Sequence, residues 1–63
     1  MRVTIEERNS EAYWNADMDA LPAIGHSLVI ASADKGVHHL VVEIEHHVGS
    51  VEHTAIIRVD RIA

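Results

Sequence analysis

Six histidines stand among the 63 residues: His26, His38, His39, His46, His47 and His53. They are the side chains best able to do chemistry here, because imidazole titrates near neutral pH and ligates transition metals. His46 and His53 flank a Gly49-Ser50 pair. If that pair turns a hairpin, the two rings become cross-strand neighbours, with Cβ atoms about 4.5–5.5 Å apart. A Zn²⁺ ion fits between two imidazoles at that distance, with water or a carboxylate completing its tetrahedron. Three or four ligands are usual, however, and no third is evident, so the competing reading is a pair of half-exposed rim histidines. On the opposite face His47 is expected beside Glu52, with Glu45 near. A pH response is a second chemistry: protonating all six histidines would carry the formal charge from −5 to +1. Glu52 and Asp60 would favour that change, and the adjacent His46 and His53 would resist it.

Other chemistries find no support. The chain has no cysteine, which excludes disulfides, thiolate metal sites and cysteine nucleophiles. Ser10, Ser27, Ser32 and Ser50 lie in no nucleophile-elbow phrase, and Gly25, Gly36 and Gly49 stand too far apart for a phosphate-cradling loop. Asp17 and Asp19 flank Met18 as a carboxylate pair, but exposed acids of this kind are ordinarily just solvated. A chain this short also has little room for a dry catalytic pocket. The expectation is a protein that binds rather than catalyses, without a cofactor unless Zn²⁺ occupies the histidine pair.

Charge narrows the partner. Ten acidic residues oppose five basic ones, and Arg2, Arg8, Lys35, Arg58 and Arg61 are scattered among acids. Direct nucleic-acid binding needs clustered cations and is disfavoured. A basic protein partner suits the net −5 better, although such a charge also serves plain solubility. No stretch approaches the roughly 20 apolar residues of a membrane span, and Met1-Arg2-Val3-Thr4 lacks the apolar run of a signal peptide. The expectation is a cytoplasmic protein with no membrane partner.

Positioning these residues falls to strands. Val37 to Val48 alternates with a period of two, as does Val51 to Ile62. Gly first in a two-residue loop suits a type II′ turn, which sets a register: Val48 with Val51, His46 with His53, Ile44 with Ala55, Val42 with Ile57 and Leu40 with Val59. The outer face then pairs His47 with Glu52, Val41 with Arg58 and His39 with Asp60, with Glu43 diagonal to Arg58. Near the start, residues 2–8 alternate and Asn9-Ser10 forms the turn, pairing Arg8 with Glu11, Ile5 with Trp14 and Val3 with Ala16. A helix over 11–20 capped by Ser10 competes, since it aligns Trp14, Met18 and Leu21; the strand is favoured. Leu21-Pro22-Ala23-Ile24-Gly25 reads as an irregular bend, and Asp34-Lys35-Gly36 as a tight loop. The strands are expected at 2–8, 12–18, 27–33, 37–48 and 51–62.

Five short antiparallel strands in one 63-residue domain predict an all-β fold, a small SH3-like barrel or a strongly curved sheet. Closing the sheet would protect its edges. The phrase Leu21-Pro22-Ala23-Ile24-Gly25-His26-Ser27-Leu28-Val29-Ile30 resembles a segment of small phage and prophage SH3-like barrel proteins, in which Leu-Pro-x-Ile/Val-Gly-Asp-x-Val leads into a barrel strand. Gly36, Val41-Val42-Glu43-Ile44-Glu45-His46 and Ala55 to Val59 occupy the following places, and His26 departs from the usual acid. The resemblance covers residues 21 to 60. It implies an SH3-like barrel and, by analogy with small acidic phage proteins, an inhibitor of a host defence protein as anti-CRISPR proteins are; it carries over no catalytic residues.

A binding surface is the remaining expectation. Outward Val41 and Ile56, rimmed by Glu43, Arg58 and Asp60, would form one patch, to which Val29, Val37 and Ile62 would add. Tyr13, Asp17 and Asp19 would form another, with Tyr13 exposed and Trp14 buried. The function expected is an acidic protein-binding module with contacts at Tyr13, Asp17, Asp19, Val41, Glu43, Ile56 and Arg58. The alternatives are a metal- or pH-responsive module built on His46 and His53, and a self-assembling subunit, at most a dimer.

Overall fold

A computed structural model describes residues 1–30, 37–49 and 51–62. Five strands appear: β1 (Arg2–Glu7), β2 (Tyr13–Asp17), β3 (Ser27–Val29), β4 (His38–Val48) and β5 (His53–Arg61). The favoured strand over the second segment is what forms, and the helix over 11–20 does not. All five join one curled, half-barrel sheet in the order β2-β1-β5-β4-β3. The expected tight loop at 34–36 and the end of the third expected strand, 31–33, lie outside the described residues.

The first hairpin carries the expected register: Val3 faces Ala16 and Ile5 faces Trp14. Asn9 adopts a left-handed φ of 63°, which asparagine tolerates better than most residues. Glu7 donates its N–H to Ala12 O at 3.1 Å, enclosing the four residues 8–11 with Asn9-Ser10 at their centre. Arg8 does not reach its expected partner Glu11; it spans to β5 and grips Asp60.

The second hairpin departs from expectation twice. Its loop has four residues, 49–52, so Val48 pairs with His53 and Ile44 with Ile57. Gly49 N–H donates to Glu52 O at 2.8 Å. A Cβ on Gly49 would sit 3.2 Å from that same oxygen, close enough that the backbone of the turn would have to give by a few tenths of an ångström. A shift of two residues preserves which face each side chain takes, and Ala55, Ile57 and Val59 are accordingly buried as expected. Further along β4 a bulge at Val42 inserts an extra residue between Val41 and Glu43. Beyond it the facing inverts: Val41 meets Val59 and turns inward, and His39 follows it. Bulges also increase local twist, which suits a sheet that curls.

One seam is not antiparallel. β1 and β5 run side by side in parallel, with Val3 beside Ala55 and Ile5 beside Ile57. Val3, Ile5, Val41, Ala55, Ile57 and Val59 form the core inside the curl, and Trp14, Ala16, Met18, Leu21, Leu28, Ile30 and Ile44 pack against it. Full burial of each aliphatic side chain contributes about 1.5–3 kcal/mol, and Ile57 at the centre is wholly buried. The sheet ends at β2 on one side and β3 on the other. Among the described residues, no helix is long and apolar enough to cross a membrane.

Candidate functional site

The outer face is a grid fixed by register. One row runs Tyr13, Glu6, Arg58, Glu43 across β2, β1, β5 and β4; the next runs Asn15, Thr4, Ile56, Glu45; the third runs Asp17, Arg2, Thr54, His47. The sheet thus brings together five of the expected contact residues: Tyr13, Asp17, Glu43, Ile56 and Arg58. Asp19 lies two residues past β2 and is exposed. Val41 does not belong: it is buried in the core, because the Val42 bulge turns it inward.

Arg58 organises the middle of this face. It donates to Glu43 at 2.5 Å and to Glu45 at 3.0 Å and lies 3.5 Å from Glu6. Hydrogen bonds to Glu45 and then Glu43 raise its already high pKa. The bond from Arg58, then that from His47, holds Glu45 below the usual carboxylate range. His47 is opposite Thr54 and bonds Glu45 at 2.5 Å; its expected partner Glu52 lies two residues away in the loop. At the far end Arg8 forms a two-pronged pair with Asp60, both bonds 2.6 Å, which lowers the Asp60 pKa. Such exposed pairs contribute little individually to stability. Their effect is to leave Arg8 and Arg58 already engaged with carboxylates of this face.

The inner face ends in a polar pair that the alternation did not reveal. His39 is 1% exposed, donates from Nε2 to Glu7 Oε2 at 2.8 Å, and meets Trp14 edge-on with centroids 5.5 Å apart. Its Nδ1 is buried with no hydrogen-bond partner among the described residues. An imidazole beside a carboxylate is the usual general-base dyad, but a base must reach its substrate and this nitrogen is walled in. The pair packs against Trp14 beside the core. His39 was expected outside, opposite Asp60; the bulge places it inside, opposite Arg61.

His46 and His53 share the inner face at the hairpin tip, as the alternation implied, but as diagonal neighbours rather than direct partners. His46 Nδ1 and His53 Nε2 lie 2.9 Å apart. Among the described residues no group of three or more His, Asp or Glu side chains is placed to hold a metal ion.

The last feature is the unclosed side of the half-barrel. Ile5, Trp14, Asn15, Ala16, Met18, Leu28, Val29 and Ile30 line a largely apolar cleft of about 310 Å³, reaching from β2 to β3. Backbone polarity along β2 follows from two bonds: Met18 N–H donates to Met1 O and Glu7 N–H to Ala12 O. Bonded pairs recur every second residue in an antiparallel ladder. Trp14 and Ala16 thus aim their backbone groups at β1, and Tyr13, Asn15 and Asp17 aim theirs at the free edge. Compared with protein-family models, curated proteins and solved structures, the chain matches none.

Proposed function

We propose that the chain is a protein-binding module that accepts an extended segment of its partner along the β2 edge. The observation that carries this is the state of that edge: among the described residues no strand lies beside the outward backbone groups of Tyr13, Asn15 and Asp17, which border an apolar cleft. Adding a strand would satisfy those groups and place alternate side chains over Trp14, Ala16 and Met18, the ordinary mode of strand-addition recognition. β3, the other edge, has only three residues, and a very short strand is a protected one. β2 carries no lysine, proline or bulge, and its single charged residue, Asp17, stands at its end.

Glu11, Asp17 and Asp19 rim the edge, all exposed, and select a partner segment that alternates apolar and basic residues. Tyr13, 64% exposed, supplies a rigid aromatic contact of the kind that dominates interfaces. The SH3-like description is part of this proposal; strand number, strand length and curl support it, and the parallel β1–β5 seam sets it apart from an all-antiparallel barrel. Inhibition of a host defence protein is the biological role proposed for such a module, supported by small size and acidity.

Proline at position 15 tests the mode of binding. Asn15→Pro removes one outward N–H without touching the β1 ladder, a placement edge strands tolerate. Asn15→Ala keeps the N–H and loses only the 3.2 Å bond with Thr4. A host protein held by the wild type and by Asn15→Ala but released by Asn15→Pro, and more weakly held at high salt, meets the expectation. Equal retention by the proline variant refutes it.

A further inference from the structure

The hairpin tip holds half of a metal site. His46 and His53 come from adjacent strands whose backbones are paired on both sides of them, His46 beside Ala55 and His53 beside Val48. The two imidazoles are therefore held at a spacing set by the sheet. Their nitrogens are 2.9 Å apart, with ring centroids at 5.1 Å and planes inclined by 43°. Two nitrogen ligands about 2.0–2.1 Å from a tetrahedral Zn²⁺ lie roughly 3.3 Å from each other. Both rings are exposed, so small side-chain rotations supply the few tenths of an ångström that separate the two spacings.

Among the described residues one chain goes no further than two ligands at this place. Glu45 and His47 occupy the opposite face and are engaged with each other and with Arg58. Glu52 lines the shallow depression on the His47 side, with Val48, Gly49 and Thr54. Two more nitrogens must come from elsewhere, and the surroundings point to a second copy. Val48 and Val51 at this tip are 77% and 96% exposed, apolar surface that a twin hairpin would cover. A two-fold axis brings the same pair from each chain to one point, as isologous dimers do. The four imidazoles that result suit Zn²⁺. Each chain carries a net charge of −5, and a divalent cation on the axis offsets the repulsion between them.

We infer that Zn²⁺ joins two copies of this chain through His46 and His53 of each. The site lies on the β4–β5 hairpin, apart from the β2 edge, and stands or falls independently of partner binding.

Titration of the full chain with ZnCl₂ in a non-chelating buffer, followed by calorimetry and sedimentation, tests this. The expected result is one Zn²⁺ per two chains and a doubling of the 7.0 kDa mass, reversed by EDTA. Co²⁺ in place of Zn²⁺ should give the visible absorption of tetrahedral coordination. His46→Ala and His53→Ala should each abolish the mass change and the Co²⁺ band; His47→Ala and His26→Ala should retain both. Where an alanine variant loses the strand spectrum, glutamine at the same position replaces it. An unchanged mass at saturating Zn²⁺, one ion per single chain, or full binding by His46→Ala would each overturn the inference.

Discussion

Removing Glu7 should cost this domain most of its stability, although Glu7 belongs to no apolar cluster. Glu7 Oε2 is the partner of His39 Nε2, and His39 Nδ1 has none among the described residues. Glu7→Ala therefore leaves a buried imidazole without any hydrogen bond. Bonds to a charged group contribute about 1.5–3 kcal/mol, and a single core of this size rarely supplies more than about 3–5 kcal/mol in all. With a urea dependence of about 1 kcal/mol per molar for so small a chain, the midpoint should fall by roughly 1.5–3 M. Trp14 meets His39 directly, and it is the single tryptophan, so its fluorescence reports the event. The Glu7→Leu/His39→Leu double variant removes both polar partners together. Replacing a buried pair by apolar groups is often neutral or stabilising, so its midpoint should return to the wild-type value or exceed it. A Glu7→Ala midpoint within about 0.3 M of wild type, or a double variant below both single ones, would refute the reasoning; at the slope above, 0.3 M is about 0.3 kcal/mol.

Two further outcomes follow from the charge pairs and the bulge. Arg8 depresses the Asp60 pKa from its ordinary 3.8, so the pair's stabilisation is present above that value and lost as pH falls through the lower, folded-state value. Urea midpoints of Asp60→Asn should accordingly fall less steeply on the acid side than those of wild type, and equal slopes would contradict the pairing. Deleting Val42 removes the bulged residue while Glu43 still meets Arg58 and Val41 still meets Val59. The shortened chain should retain a cooperative thermal transition by circular dichroism, and its loss would mean that the bulge itself holds the curl.

The two hairpins show what local pattern conveys. Asn9-Ser10 sits at the centre of the first turn, and the alternation on either side of it specifies the β1–β2 register residue by residue once the inner faces must match. Gly49-Ser50 suggested a turn centred on itself, yet the ladder ends at Val48 and His53, so the centre falls one residue later. The strand assignments survived because the error was even, so every β5 side chain kept its face. The bulge was illegible for a different reason: Leu40, Val41 and Val42 are all aliphatic, and either facing looks equally apolar until pairing with β5 decides it. That choice buries Val41 and His39 and removes Val41 from the outer patch. The parallel seam between β1 and β5 has no turn to announce it, since its partners lie some 52 residues apart. From this seam come the unclosed side and the free β2 edge. Tyr13, Asp17 and Asp19 were recognisable as an acidic, aromatic stretch, but nothing local marked them as bordering an edge.

Amide hydrogen exchange along β2 measures the free edge directly. Trp14 and Ala16, aimed at β1, should be protected, and Tyr13, Asn15 and Asp17 should exchange at least about tenfold faster, as solvent-facing amides do. Equal protection of all five would mean that another strand already covers this edge, and the binding surface proposed here would not exist.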